Sequence, residues 1–85
     1  MGVIIMEILV QSPFLLGKAL KRFRQAKKLN QLETGKEFML DQTTISSIEN
    51  GTPGTRIETI FRLLAALDLE MVIRTKQITD GSEGW

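Results

Sequence analysis

A chain of 85 residues suffices for one small domain with a thin core, and this one has no cysteine and no histidine. These absences exclude a disulfide framework, a thiolate metal site and the commonest general base, and no paired-carboxylate motif stands out. We therefore predict a cytoplasmic binding protein that needs no cofactor and is not an enzyme. The net charge of +1 hides an asymmetry. Residues 1–36 hold seven basic and two acidic side chains, whereas residues 37–85 hold four basic and eight acidic side chains. Such halves suggest two partners on two surfaces.

Residues 1–12 contain a stretch rich in β-branched side chains, residues 3–10, which is typical of a short strand. The stretch has no basic leader and is too short to span a bilayer, so it predicts neither export nor membrane insertion. Met6 is an alternative to Met1 as the start of translation.

A helix is predicted to begin at Ser12 and Pro13, a capping hydroxyl followed by a residue with a preset φ. Apolar residues then recur at helical spacing as far as Ala26. Between Gly17 and Lys28 there are six basic side chains and no acidic one. A solvated helix face would explain this run, but the motif that follows favours contact with phosphate.

The stretch of residues 31–51 predicts two short helices, residues 31–38 and 42–50, joined by a three-residue turn. That turn is the length a helix-turn-helix requires if its second helix is to project outward. Asn30 and Glu33 form a candidate capping box for the first helix.

The second of these helices has a polar outer face. Asp41 is its candidate cap, and Ile45 and Ile48 lie three residues apart and face inward. The residues left outside or in the exposed first turn are Gln42, Thr43, Ser46 and Ser47. Their amides and hydroxyls are groups that hydrogen-bond base edges and phosphates, so we interpret this segment as a DNA-recognition helix.

The C-terminal part combines a helix, a strand and a tail. Thr55 and Glu58 predict a capping box that opens a fourth helix running to about Leu67. Its wide apolar face either closes the core or forms a dimer contact. Residues 69–76 alternate as a strand does. Within the chain this strand could pair only with residues 3–10, and pairing with the same strand of a second copy would also satisfy its edges. The candidate dimer-contact residues are Phe61, Leu69, Met71 and Ile73.

Residues 77–85 form a polar tail that ends in Trp85, which either folds back or anchors in a partner pocket.

Several of these segments resemble the phage-repressor (Cro/C1, XRE-type) helix-turn-helix family, over about residues 16–69. The resemblance rests on Phe23-Arg24, on Leu29-Asn30-Gln31, on the run from Gln42 to Gly51 and on the helix that closes at Leu67. Within that family the Ser-Pro helix start, the Leu-Glu-Met strand and the C-terminal tryptophan are most similar to the HipB antitoxins.

This resemblance implies a mostly α fold, a phage-repressor-like bundle of four main helices. Residues 1–12 are then strand-like, 13–68 form the helix-turn-helix domain, 69–76 are the dimerisation strand and 77–85 are a mobile tail. The N-terminal segment is a second candidate strand for dimerisation. The resemblance also implies a nucleoid-associated homodimer that binds operator DNA, represses its own operon and holds a HipA-type kinase toxin inactive.

Roles can be assigned to residues on this basis. Gln42 is the candidate for a bidentate contact with adenine. The other candidate base-reading residues are Thr43, Thr44 and Ser46. Candidate phosphate contacts are Gln31, Arg24, Lys27, Lys28, Lys36 and Ser47, and Trp85 is the candidate for partner binding. Two alternatives stay open: a repressor of the same fold without a toxin partner, and an interaction module that no longer binds DNA.

The chain departs from the family pattern within the motif. Thr34 and Gly35 stand where the family usually has Leu-Ala, which should thin the packing between the motif helices. Met39 stands where glycine is usual, so it either bears a strained left-handed conformation or the turn takes another path. Asp41 is a poor neighbour for phosphate, although a carboxylate can accept a hydrogen bond from cytosine.

Overall fold

The computed structural model describes residues 6–76, in which four α-helices are connected by short turns. They are α1 (Pro13–Ala26), α2 (Gln31–Gly35), α3 (Gln42–Glu49) and α4 (Ile57–Ala66), and a single 3₁₀ turn, Lys36–Phe38, continues α2. The expected mostly α, four-helix architecture is confirmed. No helix in this part of the chain is long and apolar enough to cross a membrane.

The predicted strands take no part in a sheet within the described residues. Residues 69–76 carry no strand pairing in the single chain. Pairing with residues 6–10 of the same chain is not formed either. Pairing with a second copy is not tested by a single chain, so the dimerisation strand stays a prediction. Expectations for residues 1–5 and 77–85, including Trp85, lie outside the described part of the chain.

Side-chain caps begin the first three helices as the sequence predicts. Ser12 Oγ accepts a hydrogen bond from the N–H of Leu15 at 3.1 Å. Asn30 Oδ1 accepts from the N–H of Glu33 at 2.7 Å, and Glu33 Oε1 accepts from the N–H of Asn30 at 2.9 Å, which completes the capping box. At α3, Asp41 Oδ1 accepts from the N–H of Thr44 at 2.7 Å.

The predicted capping box of α4 is wrong. The helix begins one residue later than the pattern suggests, with Arg56 as its N-cap and no side-chain capping bond. Glu58 is therefore the second helical residue rather than the third, and its Oε1 lies 3.6 Å from Nη1 of Arg56.

Three helical segments end in a left-handed residue that is not glycine: Lys28, Met39 and Asp68. Each is followed by a leucine whose N–H donates to the carbonyl five residues earlier, at 2.8–3.2 Å. This closing bond satisfies a carbonyl that the helix end leaves free. Met39, at φ 58° and ψ 41°, thus adopts the strained conformation usually left to glycine.

The core lies where α1, α3 and α4 meet. The buried cluster consists of Leu20, Leu40, Ile45, Ile48, Ile60, Leu63, Leu64 and Leu67. Ile45 and Leu63 are completely inaccessible to solvent. The inward orientation predicted for Ile45 and Ile48 is confirmed, and it leaves the opposite side of α3 free.

Two glycines allow backbones to approach closely around α3. A Cβ on Gly17 would overlap the carbonyl oxygens of Ile48 and Glu49, so α1 rests directly on the end of α3. A Cβ on Gly35 would overlap the carbonyl oxygen of Leu40. The turn therefore folds tightly onto α2 at the position where the family usually has alanine.

Candidate nucleic-acid interface

The outer face of α3 is the polar surface that the sequence predicts. Gln42 and Thr43 are exposed, whereas Thr44, Ser46 and Ser47 are half-buried. All four predicted base-reading residues therefore lie on one short helix. Ser46 Oγ also accepts a long hydrogen bond, 3.5 Å, from Nδ2 of Asn50. The fully available groups are consequently those in the first turn, which is the part of a recognition helix that approaches base edges.

A buried ion pair fastens α3 to α1. Arg24 Nε lies 2.6 Å from Glu49 Oε2, and Arg24 Nη2 donates to Glu49 Oε1 at 3.0 Å. The remaining nitrogen, Nη1, donates to the carbonyl oxygen of Leu29 at 2.7 Å. Arg24 is 8% exposed and Glu49 is 6% exposed. The hydrogen bond to Glu49 raises the pKa of Arg24, against the opposing effect of burial.

The assignment of Arg24 as a phosphate contact is therefore wrong. Its guanidinium group is buried, and all three of its nitrogens already donate to acceptors within the chain. The partner, Glu49, is a residue that the sequence analysis missed. A signal was present, because Glu49 follows Ile48 directly on the inward stripe of α3, where a carboxylate requires a positive partner.

Gln31 joins the same network through its side chain. Its Nε2 donates to Glu49 Oε1 at 3.0 Å, so the amide nitrogen points inward. The predicted clamp on phosphate by this side-chain donor is not available in this arrangement. The backbone N–H at the start of α2 is the group of Gln31 that still suits such a contact.

The predicted lysine contacts differ in their surroundings. Lys27 Nζ lies 3.1 Å from Asp68 Oδ2, an exposed pair with little stabilising effect. Lys28 and Lys36 are exposed and form no ion pair within residues 6–76. They are therefore free to approach an anion. In the same part of the chain, no group of three acidic side chains is placed to hold a metal ion.

A hydroxyl-lined cleft of about 310 Å³ separates the start of α3 from the start of α4. We call it the polar cleft. Its wall on α3 includes Thr43 and Ser47, and its other wall includes Thr52, Arg56 and a neighbouring run of hydroxyls. The Arg56 side chain is 82% exposed. This wall was not predicted from the sequence, although the spacing of hydroxyl residues after Gly51 was a signal for it.

A capped helix with a polar outer face, held on a second helix by a tight turn, defines a helix-turn-helix protein of the phage-repressor type. A family model described as helix-turn-helix (HTH_3) matches residues 20–73. The chain belongs to this helix-turn-helix family and, within it, to the family of the HipB antitoxins.

The similar proteins include two curated relatives. Antitoxin HipB of Escherichia coli strain K12 is 36% identical over 64 residues, which cover 75% of this chain and 73% of the relative. Antitoxin HipB of Escherichia coli O6:H1 is also 36% identical over 64 residues, with 75% and 68% covered.

Solved structures show the same fold. The protein in the "HipB-O4 20mer complex" superposes with a TM-score of 0.78 at 32% identity, covering 84% of this chain and 100% of that one. The "Structure of HipA-HipB-O2-O3 complex" gives the same TM-score, identity and coverage. The resemblance to the HipB antitoxins expected from the sequence is confirmed.

Proposed function

We propose that the chain is a homodimeric antitoxin that binds operator DNA, represses its own operon and neutralises a HipA-type kinase toxin. The observation that carries the DNA part is the exposed first turn of α3, with Gln42 and Thr43 at its head. The toxin part is supported by similarity to a HipB solved in a HipA-HipB-O2-O3 complex. Such a protein acts in the cytoplasm, where the nucleoid is.

Base recognition is assigned to the exposed first turn of α3. The helix enters the major groove, and the amide of Gln42 pairs with adenine N6 and N7. Thr43 and Thr44 offer hydroxyls to base edges or methyl groups to thymine. Ser46 is a weaker reader because its hydroxyl is shared with Asn50.

Phosphate contacts fix the register of the helix on the duplex. Lys28 and Lys36 serve as exposed positive charges, and Lys27 does so if it leaves the weak pair with Asp68. Ser47 contributes a hydroxyl and Gln31 its backbone N–H. Few charges are involved, so we expect a modest salt dependence.

The polar cleft adds a second set of donors for the phosphate backbone. Arg56 is exposed there, and Ser47 and Thr43 connect the cleft to the outer face of α3. A strand of the duplex that passes beside α3 would meet the hydroxyls of Thr52 and Thr55 and the guanidinium of Arg56. In this proposal Arg56 replaces the buried Arg24 as the arginine at the phosphates.

A second copy is proposed to cover the apolar side chains that α4 and residues 69–76 leave exposed. Phe61 is 51% exposed, Met71 43% and Ile73 94%. Leu69, by contrast, packs partly against the core of its own chain, a contact that the sequence analysis did not include. A contiguous apolar patch marks an interaction surface, and we propose that these side chains contribute to one. A two-fold dimer places two α3 helices in successive major grooves, about 34 Å apart.

Fluorescence anisotropy tests the DNA part. The duplex is the DNA upstream of the chain's own reading frame, and the variants are Gln42→Ala and, as a matched control on the exposed side of α1, Gln25→Ala. The Gln42 variant should lose about 5- to 150-fold in affinity and its preference for one adenine, whereas the control should match the wild type. An equal loss on every sequence would make Gln42 a backbone contact, and no preference for the upstream DNA by the wild type would overturn DNA recognition.

Copurification tests the toxin part. The chain is expressed together with the reading frame next to its own, and the molecular mass of the purified complex is measured. A HipA-like kinase should copurify, and kinase activity should fall when the chain is present. A neighbouring product that binds nothing, or a kinase that the chain leaves active, would contradict neutralisation.

A further inference from the structure

Asp41 stands at the head of the recognition helix with one carboxylate oxygen fixed and one free. Oδ1 accepts the N–H of Thr44 at 2.7 Å, which holds the carboxylate in one orientation as the N-cap of α3. The residue is exposed, and among residues 6–76 no N–H group donates to Oδ2. Hydrogen bonds from the backbone and from the side chain of Thr44 lower the pKa of Asp41, so the carboxylate stays ionised at neutral pH.

An ionised carboxylate can only accept hydrogen bonds, and this restricts the bases that it tolerates. In the major groove guanine presents two acceptors and thymine presents an acceptor beside its methyl group. Adenine has an amino donor, but the acceptor N7 lies next to it. Cytosine offers the N4 amino group beside C5–H, so its one neighbouring acceptor is O6 of the paired guanine, whereas adenine N6 lies between N7 and O4 of the paired thymine.

We propose that Asp41 is a specificity-determining residue whose Oδ2 accepts a hydrogen bond from cytosine N4, at a base pair beside the one that Gln42 contacts. The proposal rests on the operator binding proposed above and adds one base position to those that α3 is proposed to recognise. This oxygen repels phosphates and also bases that present an acceptor to it. The negative charge therefore disfavours wrong sequences as well as favouring the right one.

One substitution inverts the predicted preference and keeps the helix cap. In Asp41→Asn, Oδ1 of the asparagine accepts the N–H of Thr44 as before, because asparagine is as good an N-cap as aspartate. The amide nitrogen then replaces Oδ2, which turns the outward group from an acceptor into a donor. A donor at this position favours guanine, through O6 or N7.

The matched control is Glu37→Gln, in the 3₁₀ turn of the same motif. Glu37 is exposed, and its substitution removes the same single charge without touching the head of α3. General relief of repulsion toward phosphate is therefore common to both variants. A change in base preference is expected only for Asp41→Asn.

The experiment is selection of binding sites from a library of random duplexes by the chain of residues 1–85, followed by sequencing. The wild type should enrich one cytosine in each half-site by about ten- to hundredfold over the other bases. Asp41→Asn should enrich guanine there, and Glu37→Gln should retain cytosine. Thermal unfolding of each variant, followed by circular dichroism, checks that the fold is kept.

The outcomes separate this inference from the proposed function. If the wild type enriches no sequence, operator recognition fails and the inference fails with it. If the wild type enriches a half-site and Asp41→Asn selects the same bases at every position, only the inference is overturned. A uniform gain in affinity for Asp41→Asn without a changed base would show that Asp41 merely repels phosphate.

Discussion

The buried pair between Arg24 and Glu49 gives the sharpest prediction about stability. Replacing Arg24 by alanine leaves the carboxylate of Glu49 buried, with Gln31 as its remaining hydrogen-bond partner. Removing one member of a buried pair typically costs about 3–5 kcal/mol, because a charge is left uncompensated. At about 4–8 °C per kcal/mol for a domain of this size, the midpoint of thermal unfolding should fall by at least about 12 °C.

Urea unfolding followed by circular dichroism measures this cost at a fixed protein concentration, since the proposed dimerisation would make stability depend on concentration. Lys21→Ala is the matched control: Lys21 is exposed on the same helix, and its loss should change the free energy of unfolding by less than about 0.5 kcal/mol. The double variant Arg24→Met, Glu49→Leu should be far more stable than Arg24→Ala, because it leaves no unpaired charge.

A different pair of results would refute this reasoning. One such result is that Arg24→Ala unfolds like the wild type. The other is that the slope of log affinity for DNA against log salt concentration falls by about the value of one phosphate contact. Together they would mean that Arg24 contacts the duplex and that the buried pair does not stabilise the fold.

Three further predictions concern the turn, the cap and the dimer. Met39→Gly should raise the free energy of unfolding by up to about 1 kcal/mol, since glycine adopts φ 58° without strain; a loss of stability in urea would show that the methionine side chain is needed. Folding lowers the pKa of Asp41, so its ionised carboxylate stabilises the fold at any pH above the ordinary pKa of an aspartate. This contribution is lost as the pH falls below about 4. Acid unfolding of Asp41→Asn should lack that part of the pH dependence, and identical acid titrations of the two proteins would contradict it. Ile73→Asp should weaken the proposed homodimer, as measured by sedimentation velocity at decreasing concentration, and an unchanged dimer would remove Ile73 from the proposed interface.

The local rules that placed the helices were visible in the sequence. Ser12, Asn30 and Asp41 act as caps in the structure because each offers a side-chain oxygen just before a helical run. The same rule failed at Thr55, because the turn before α4 brings Arg56 into the cap position instead. Capping preferences limit where a helix starts, but the preceding turn selects among neighbouring residues.

The polar network of the site was harder to predict, because it depends on contacts between distant residues. Arg24 lies four residues after Leu20 on the buried side of α1, but its partner Glu49 is 25 positions away, so no local pattern pairs the two. The close approach at Gly17 is what brings the end of α3 against α1. The polar cleft also depends on how the chain folds, since one wall belongs to α3 and the other mainly to the loop before α4.

The most direct test of the central claim is methylation protection with dimethyl sulfate on the chain's own upstream DNA. The reagent modifies N7 of guanine in the major groove, so it reports whether α3 occupies that groove. A dimer that inserts two α3 helices predicts two protected patches on one face of the duplex, with centres about 34 Å apart. Protection that is absent, or confined to a single patch at saturating protein, would contradict the account.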